Sequence, residues 1–83
     1  MITREELIAQ LEPIARNVFS NNDLKMTDDL GPSSLDTWTS LSFTQFLSAI
    51  EEKFSFRFKM LEIISMQNMG AIISTTLKHL TNA

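Results

Sequence analysis

The stretch Asp36-Thr37-Trp38-Thr39-Ser40-Leu41 sets three hydroxyls around a single large aromatic, just ahead of an apolar periodicity. Either Thr39 or Ser40 can N-cap a helix starting there, and Ser42 with Gln45 has the spacing of a further capping box. A hydroxyl at an exposed helix N-terminus can also carry a phosphodiester, because the orphan backbone donors and the positive end of the dipole favour negative charge. One position can serve both roles. Other chemistry is sparse. Asp28-Asp29 has no further carboxylates at ligand spacing and reads as a solvated turn. His79 is the single histidine and, at the end of a helical pattern, suits the dipole there without a role of its own. The absence of cysteine excludes a disulfide framework, a thiolate zinc site and a cysteine nucleophile. No Gly-rich phosphate loop or Ser-His-acid set is visible, so the chain is not read as an enzyme.

The elements that must position these residues follow from apolar spacing. Thr3-Arg4-Glu5-Glu6 has capping-box spacing, and Leu7, Leu11, Ile14 and Val18 then mark a helix over residues 3–19, with a kink expected near residues 9 to 13 because Pro13 removes a backbone bond. Residues 20–38 are rich in Ser, Asn, Asp, Gly and Pro, which predicts an ordered loop pinned by Leu24, Met26, Leu30, Leu35 and Trp38. Phe43, Leu47, Ile50 and Phe54, widened by Phe46, predict a helix over 40–54 with Ser40, Thr44 and Ser48 on its solvent side. Phe54, Phe56, Phe58 and Met60 alternate like a strand, but no second such run exists to pair with them, so the reading is an extended connector that turns two phenylalanines inward. A short helix over 60–64 and a last helix over 68–80, capped by Asn68 and weakened by Gly70 at about 1 kcal/mol, complete the pattern. The phenylalanines and the five methionines read as ordinary, adaptable core. The expectation is an all-α, four-helix bundle.

Bulk properties bound the function. Eighty-three residues make one domain, 1–83, and 43% apolar with 20% charged residues argues against disorder. Ten acidic against seven basic side chains give a net charge of −3, the wrong sign for a nucleic-acid binder. Met1-Ile2-Thr3-Arg4-Glu5-Glu6 carries carboxylates where a signal peptide needs a basic and then an apolar stretch, and no apolar run approaches a membrane span. A cytoplasmic monomer is expected.

Taken in order, these landmarks resemble the acyl carrier protein family, in particular carriers whose attachment site reads Trp-Asp-Ser-Leu. Leu11-Glu12-Pro13-Ile14 with Val18-Phe19 is similar to the family's first helix, Trp38-Thr39-Ser40-Leu41 to its attachment motif, and Ala49-Ile50-Glu51-Glu52-Lys53-Phe54 to the end of its second helix. Phe56-Arg57-Phe58, Glu62-Ile63-Ile64 and Asn68-Met69-Gly70 match the remaining landmarks. The resemblance implies a bundle with a long first loop and a short third helix. It implies that Ser40 receives 4′-phosphopantetheine from coenzyme A through a phosphopantetheinyl transferase. The arm would then carry an acyl or aminoacyl thioester between a loading ligase, synthase or acyltransferase. Partners would meet Thr39, Leu41, Phe43, Ser48, Glu51 and Glu52. Where Thr39 stands the family usually has Asp, and the second helix is less acidic than usual, so recognition leans on apolar contacts such as Phe43. The alternative is an unmodified carrier-like interaction module in which Ser40 only caps the second helix.

Overall fold

The computed structural model describes residues 2–81, so residues 1, 82 and 83 of the expected domain lie outside the described residues. Four helices follow in order, α1 (Arg4–Val18), α2 (Ser40–Phe54), α3 (Met60–Ser65) and α4 (Met69–Thr81), with no strand among the described residues. The protein is an all-α, four-helix bundle with a long first loop and a short third helix. Thr3 caps α1 reciprocally, its hydroxyl accepting from Glu6 N at 3.1 Å while Glu6 Oε1 accepts from Thr3 N at 2.9 Å. The helix runs unbroken through Pro13 and buries Leu7, Leu11 and Ala15. It packs against both α2 and α4, so α1 is the central post of the bundle.

The 54–60 alternation resolves into three pieces. Phe54 ends α2, Ser55 turns the chain in the left-handed region at φ 59°, and an extended connector leads to α3. Only Phe58 is buried, with Phe54 and Phe56 half-buried against the core. Glu51 holds the connector in place, because its Oε2 accepts from Phe58 N at 2.8 Å. Met26, Met66 and Met69 are core residues as expected, but Met60 is not: it stands 77% exposed on α3.

The long loop is tied down at both ends of its course. Leu24, Met26 and Trp38 are buried in the core, with Leu30 and Leu35 packed against it. Backbone carbonyls of the same loop then complete the start of α4: Leu30 O accepts from Met69 N at 2.7 Å and Asp28 O from Gly70 N at 2.9 Å. With Asn68 Oδ1 accepting from Ala71 N at 2.8 Å, the first three amides of α4 all have partners. Asp28 is thus a structural clip, and its carboxylate also meets Arg4 Nη2 at 2.7 Å, while Arg4 Nη1 donates to Ser74 Oγ at 3.1 Å.

Gly70 has its reason here. A Cβ at this position would lie 3.0 Å from Asp28 O and 3.1 Å from Asp28 Cα, so the paired loop backbone would have to give by a few tenths of an ångström. Gly70→Ala is therefore expected to lower stability by about 1–3 kcal/mol through overpacking, although alanine is the better helix former. Urea denaturation measures this, and a stabilised variant would show that the loop yields easily.

Two carboxylates titrate below their ordinary value of 4.5: Glu6, because the Thr3 amide and hydroxyl bind its charged form, and Glu62, because the Lys59 amide and then His79 do the same. A folded-state value depressed below the unfolded one contributes stability above about pH 4.5 that is lost as pH falls through the lowered value. The urea midpoint should accordingly drop on acidification below that range, and drop less in Glu62→Gln. An identical acid profile for that variant would remove Glu62 from the account.

Candidate functional site

The start of α2 is built by a reciprocal pair of hydroxyls. Thr39 is the N-cap: its Oγ1 accepts from Ser42 N at 3.1 Å, and Ser42 Oγ accepts from Thr39 N at 2.8 Å. Ser42 is buried and spends its own proton on Thr37 O at 2.7 Å, which ties the helix start to the preceding turn. The reading in which Ser40 caps the helix is thereby corrected, as is a box from Ser42 to Gln45. Ser42 is already the third residue of Thr39's box, so Ser40 is left as the first residue of the helix.

Ser40 is exposed, and its hydroxyl makes no hydrogen bond among the described residues, while its carbonyl accepts from Thr44 Oγ1 at 2.8 Å. Neither Ser40 N nor Leu41 N donates to a protein acceptor among those residues, and the first turn of α2 carries no acidic side chain. The positive end of the dipole is consequently not neutralised by the chain itself.

Beside Ser40 runs an open groove of about 800 Å³, walled by Trp38, Thr39 and Phe43 on one side and by Ile63, Ile64 and Met66 on the other. Trp38 stacks on Phe19 at 4.9 Å and on Phe43 at 6.0 Å, and Phe19 meets Phe46 at 5.5 Å, so an aromatic column runs from the core to the groove. Offset stacking adds about 0.5–1.5 kcal/mol per pair beyond the area buried.

The other residues singled out from the sequence are dispersed around this centre. Leu41 is 68% exposed next to Ser40, whereas Phe43 is half-buried in the groove wall. Ser48 and Glu52 are exposed farther along α2 and line a second, more polar cleft with Glu51. Glu51, committed to Phe58 N, is half-buried and has less freedom than an outward-facing recognition carboxylate. Two features are not foreshadowed in the sequence: the exposed apolar trio Met60, Leu61 and Ile64 on α3, and the ring of His79, which is paired with Glu62 and stacked on Phe56. The trio stands at i, i+1 and i+4, a helical spacing that marks one face of α3 but not whether anything covers it. No group of three or more His, Cys, Asp or Glu side chains among the described residues could hold a metal ion, and no helix there is long and apolar enough to cross a membrane.

No known family profile matches the sequence, and no curated protein does. Among solved structures, the solution NMR structure of a holo acyl carrier protein from Geobacter metallireducens matches with a TM-score of 0.83 at 25% identity, over 90% of this chain and 86% of that one. The fold is of the acyl carrier type. In that fold this chain presents Ser40 at the N-terminus of α2, next to a groove whose far wall is α3.

The division of labour between neighbouring hydroxyls is open to direct measurement. Thr39→Ala should cost about 1 kcal/mol of stability as a lost cap, whereas Ser40→Ala should stay within about 0.5 kcal/mol of the parent. Urea midpoints in the reverse order would return the cap to Ser40.

Proposed function

We propose that this protein is an acyl carrier, bearing 4′-phosphopantetheine on Ser40 and carrying acyl or aminoacyl groups as thioesters on the terminal thiol of that arm. The observation that carries the reading is the release of Ser40 from capping: Thr39 does that work, and an exposed, unbonded hydroxyl stands at the start of a fifteen-residue helix. The likeness to a holo acyl carrier protein supports it. The residues present suit the group, since the Ser40 hydroxyl and the amides of Ser40 and Leu41 have no partner among the described residues at the positive end of the α2 dipole.

Loading would join Ser40 Oγ to the phosphorus nearest the pantetheine of coenzyme A. The pyrophosphate bond breaks, adenosine 3′,5′-bisphosphate leaves, and the hydroxyl proton passes to a base of the phosphopantetheinyl transferase or to solvent. The chain has no cysteine of its own, so the reactive sulfur comes with the arm. A loading ligase, synthase or acyltransferase would approach from the side of Ser40, with Thr39, Leu41, Phe43, Ser48, Glu51 and Glu52 as contact candidates. We assign the protein to the cytoplasm as a monomer, with the bond-making left to its partners.

Intact mass after incubation with coenzyme A, magnesium and a broad-specificity transferase is expected to rise by one phosphopantetheine, and Ser40→Ala should show no gain. Thr39→Asp keeps an N-cap acceptor and restores a carboxylate, so it should load faster. Loading of Ser40→Ala equal to that of the parent would end the proposal. Failure of every form to load would leave an unmodified interaction module.

A further inference from the structure

α3 forms one wall of the groove beside Ser40, yet little of it is anchored. No residue from Met60 to Ser65 is fully buried. Met60, Leu61 and Ile64 are 77%, 81% and 65% exposed. A six-residue helix has no standing of its own in water, because nucleation costs more than so few bonds return. Its attachments are the buried Phe58 just before it, the buried Met66 just after it, the half-buried Ile63, and the carboxylate of Glu62.

Glu62 is a shared node. Its Oε1 accepts from Lys59 N at 2.8 Å, which caps α3, and the same carboxylate lies 2.8 and 3.1 Å from His79 Nε2 on α4. A carboxylate only accepts, so His79 Nε2 holds the proton. The imidazole itself is fixed by its surroundings: it stacks on Phe56 at 4.6 Å and 14°, and meets the edge of Phe58 at 5.9 Å. Lys59, just before α3, and Lys78 from α4 rim the same small cleft, and Lys59 favours the charged form of Glu62 through its amide and, more weakly, its charge.

We propose that Glu62 and His79 form a latch that holds α3 against the bundle and so sets the width of the groove beside Ser40. Ile63 and Ile64, which line the groove, directly follow Glu62 in the chain, so holding one carboxylate places both of them. Release of the latch swings that wall away on the Phe58 and Met66 anchors and uncovers Trp38 on the opposite wall, now 8% exposed. Glu62 and His79 are thus positioning residues for whatever occupies the groove. Their bearing on a carried group rests on the carrier reading, whereas the latch does not.

The unmodified chain tests the latch, so the outcome is independent of whether Ser40 is loaded. Two variants separate its parts: His79→Phe keeps an aromatic ring and loses the N–H donor, and Glu62→Gln keeps an acceptor for Lys59 N while losing the charge. Trp38 is the single tryptophan, and its quenching by acrylamide should increase in both variants. The amides of Ile63 and Met66, bonded to Lys59 O and Glu62 O at 3.0 Å, should exchange with deuterium roughly tenfold faster relative to α1 and α2, the change that loss of about 1.4 kcal/mol produces. Wild-type quenching and exchange in both variants would overturn the latch. Acceleration shared equally by all four helices would also overturn it, as general destabilisation.

Discussion

The stack of Trp38 on Phe19 is the contact on which the rest of the site depends. Phe19 ends α1 and Trp38 ends the long loop, so this pair fixes where the chain re-enters the bundle after a course with no regular structure. Without it the start of α2 would have no defined place, since a loop of this length closes at modest entropic cost over many geometries. Phe46 packs on the inner side of the column and Phe43 on the outer, so the core and the groove wall belong to one aromatic assembly. Two residues beyond Trp38, Ser40 inherits its position from that assembly.

A second layer of control is polar and local. The hydroxyls of Thr39 and Ser42 satisfy each other's amides, and Ser42 reaches back to Thr37 O. This closes the helix start with neutral groups and spends no carboxylate there. Most acidic side chains lie in α1 and the loop, whereas four of the seven basic ones, Lys53, Arg57, Lys59 and Lys78, come after Ser40. The face around Ser40 is therefore weakly charged and rich in exposed apolar groups, with Leu41 on one rim and Ile64 on the other. Contact there is governed by shape and burial more than by long-range steering, which falls off within a Debye length of about 8–10 Å.

Much of this was legible in the chain because helices announce themselves through spacing. The runs 7-11-14-18 and 43-47-50-54 each lay one face toward a core, and the capping box at Thr3 is a contiguous four-residue signal. Connections between distant segments were not legible. In the sequence Gly70 is only a cost to α4, whereas in the fold the loop backbone lies 3.0 Å from where its Cβ would be. Asp28 read as a solvated turn, though its carbonyl completes α4 and its carboxylate meets Arg4. The alternation from Phe54 to Met60 mimicked a strand, since an extended connector shares a strand's period without needing its partner.

By itself the sequence determined the class of the fold, the extents of the helices to within a residue or so, and the small set of hydroxyls that includes the cap of α2. These are matters of periodicity and of bonds between residues three or four apart. Tertiary structure alone decided which hydroxyl caps and which stays free, that Glu51 is turned inward to Phe58 N, and that His79 is joined to Glu62 across seventeen residues of sequence. Which of two adjacent hydroxyls caps depends on where the preceding turn places its backbone, and a hydrogen bond between α3 and α4 depends on how the two helices pack. Local spacing offers the candidates in both cases, and the choice is made only when the core closes.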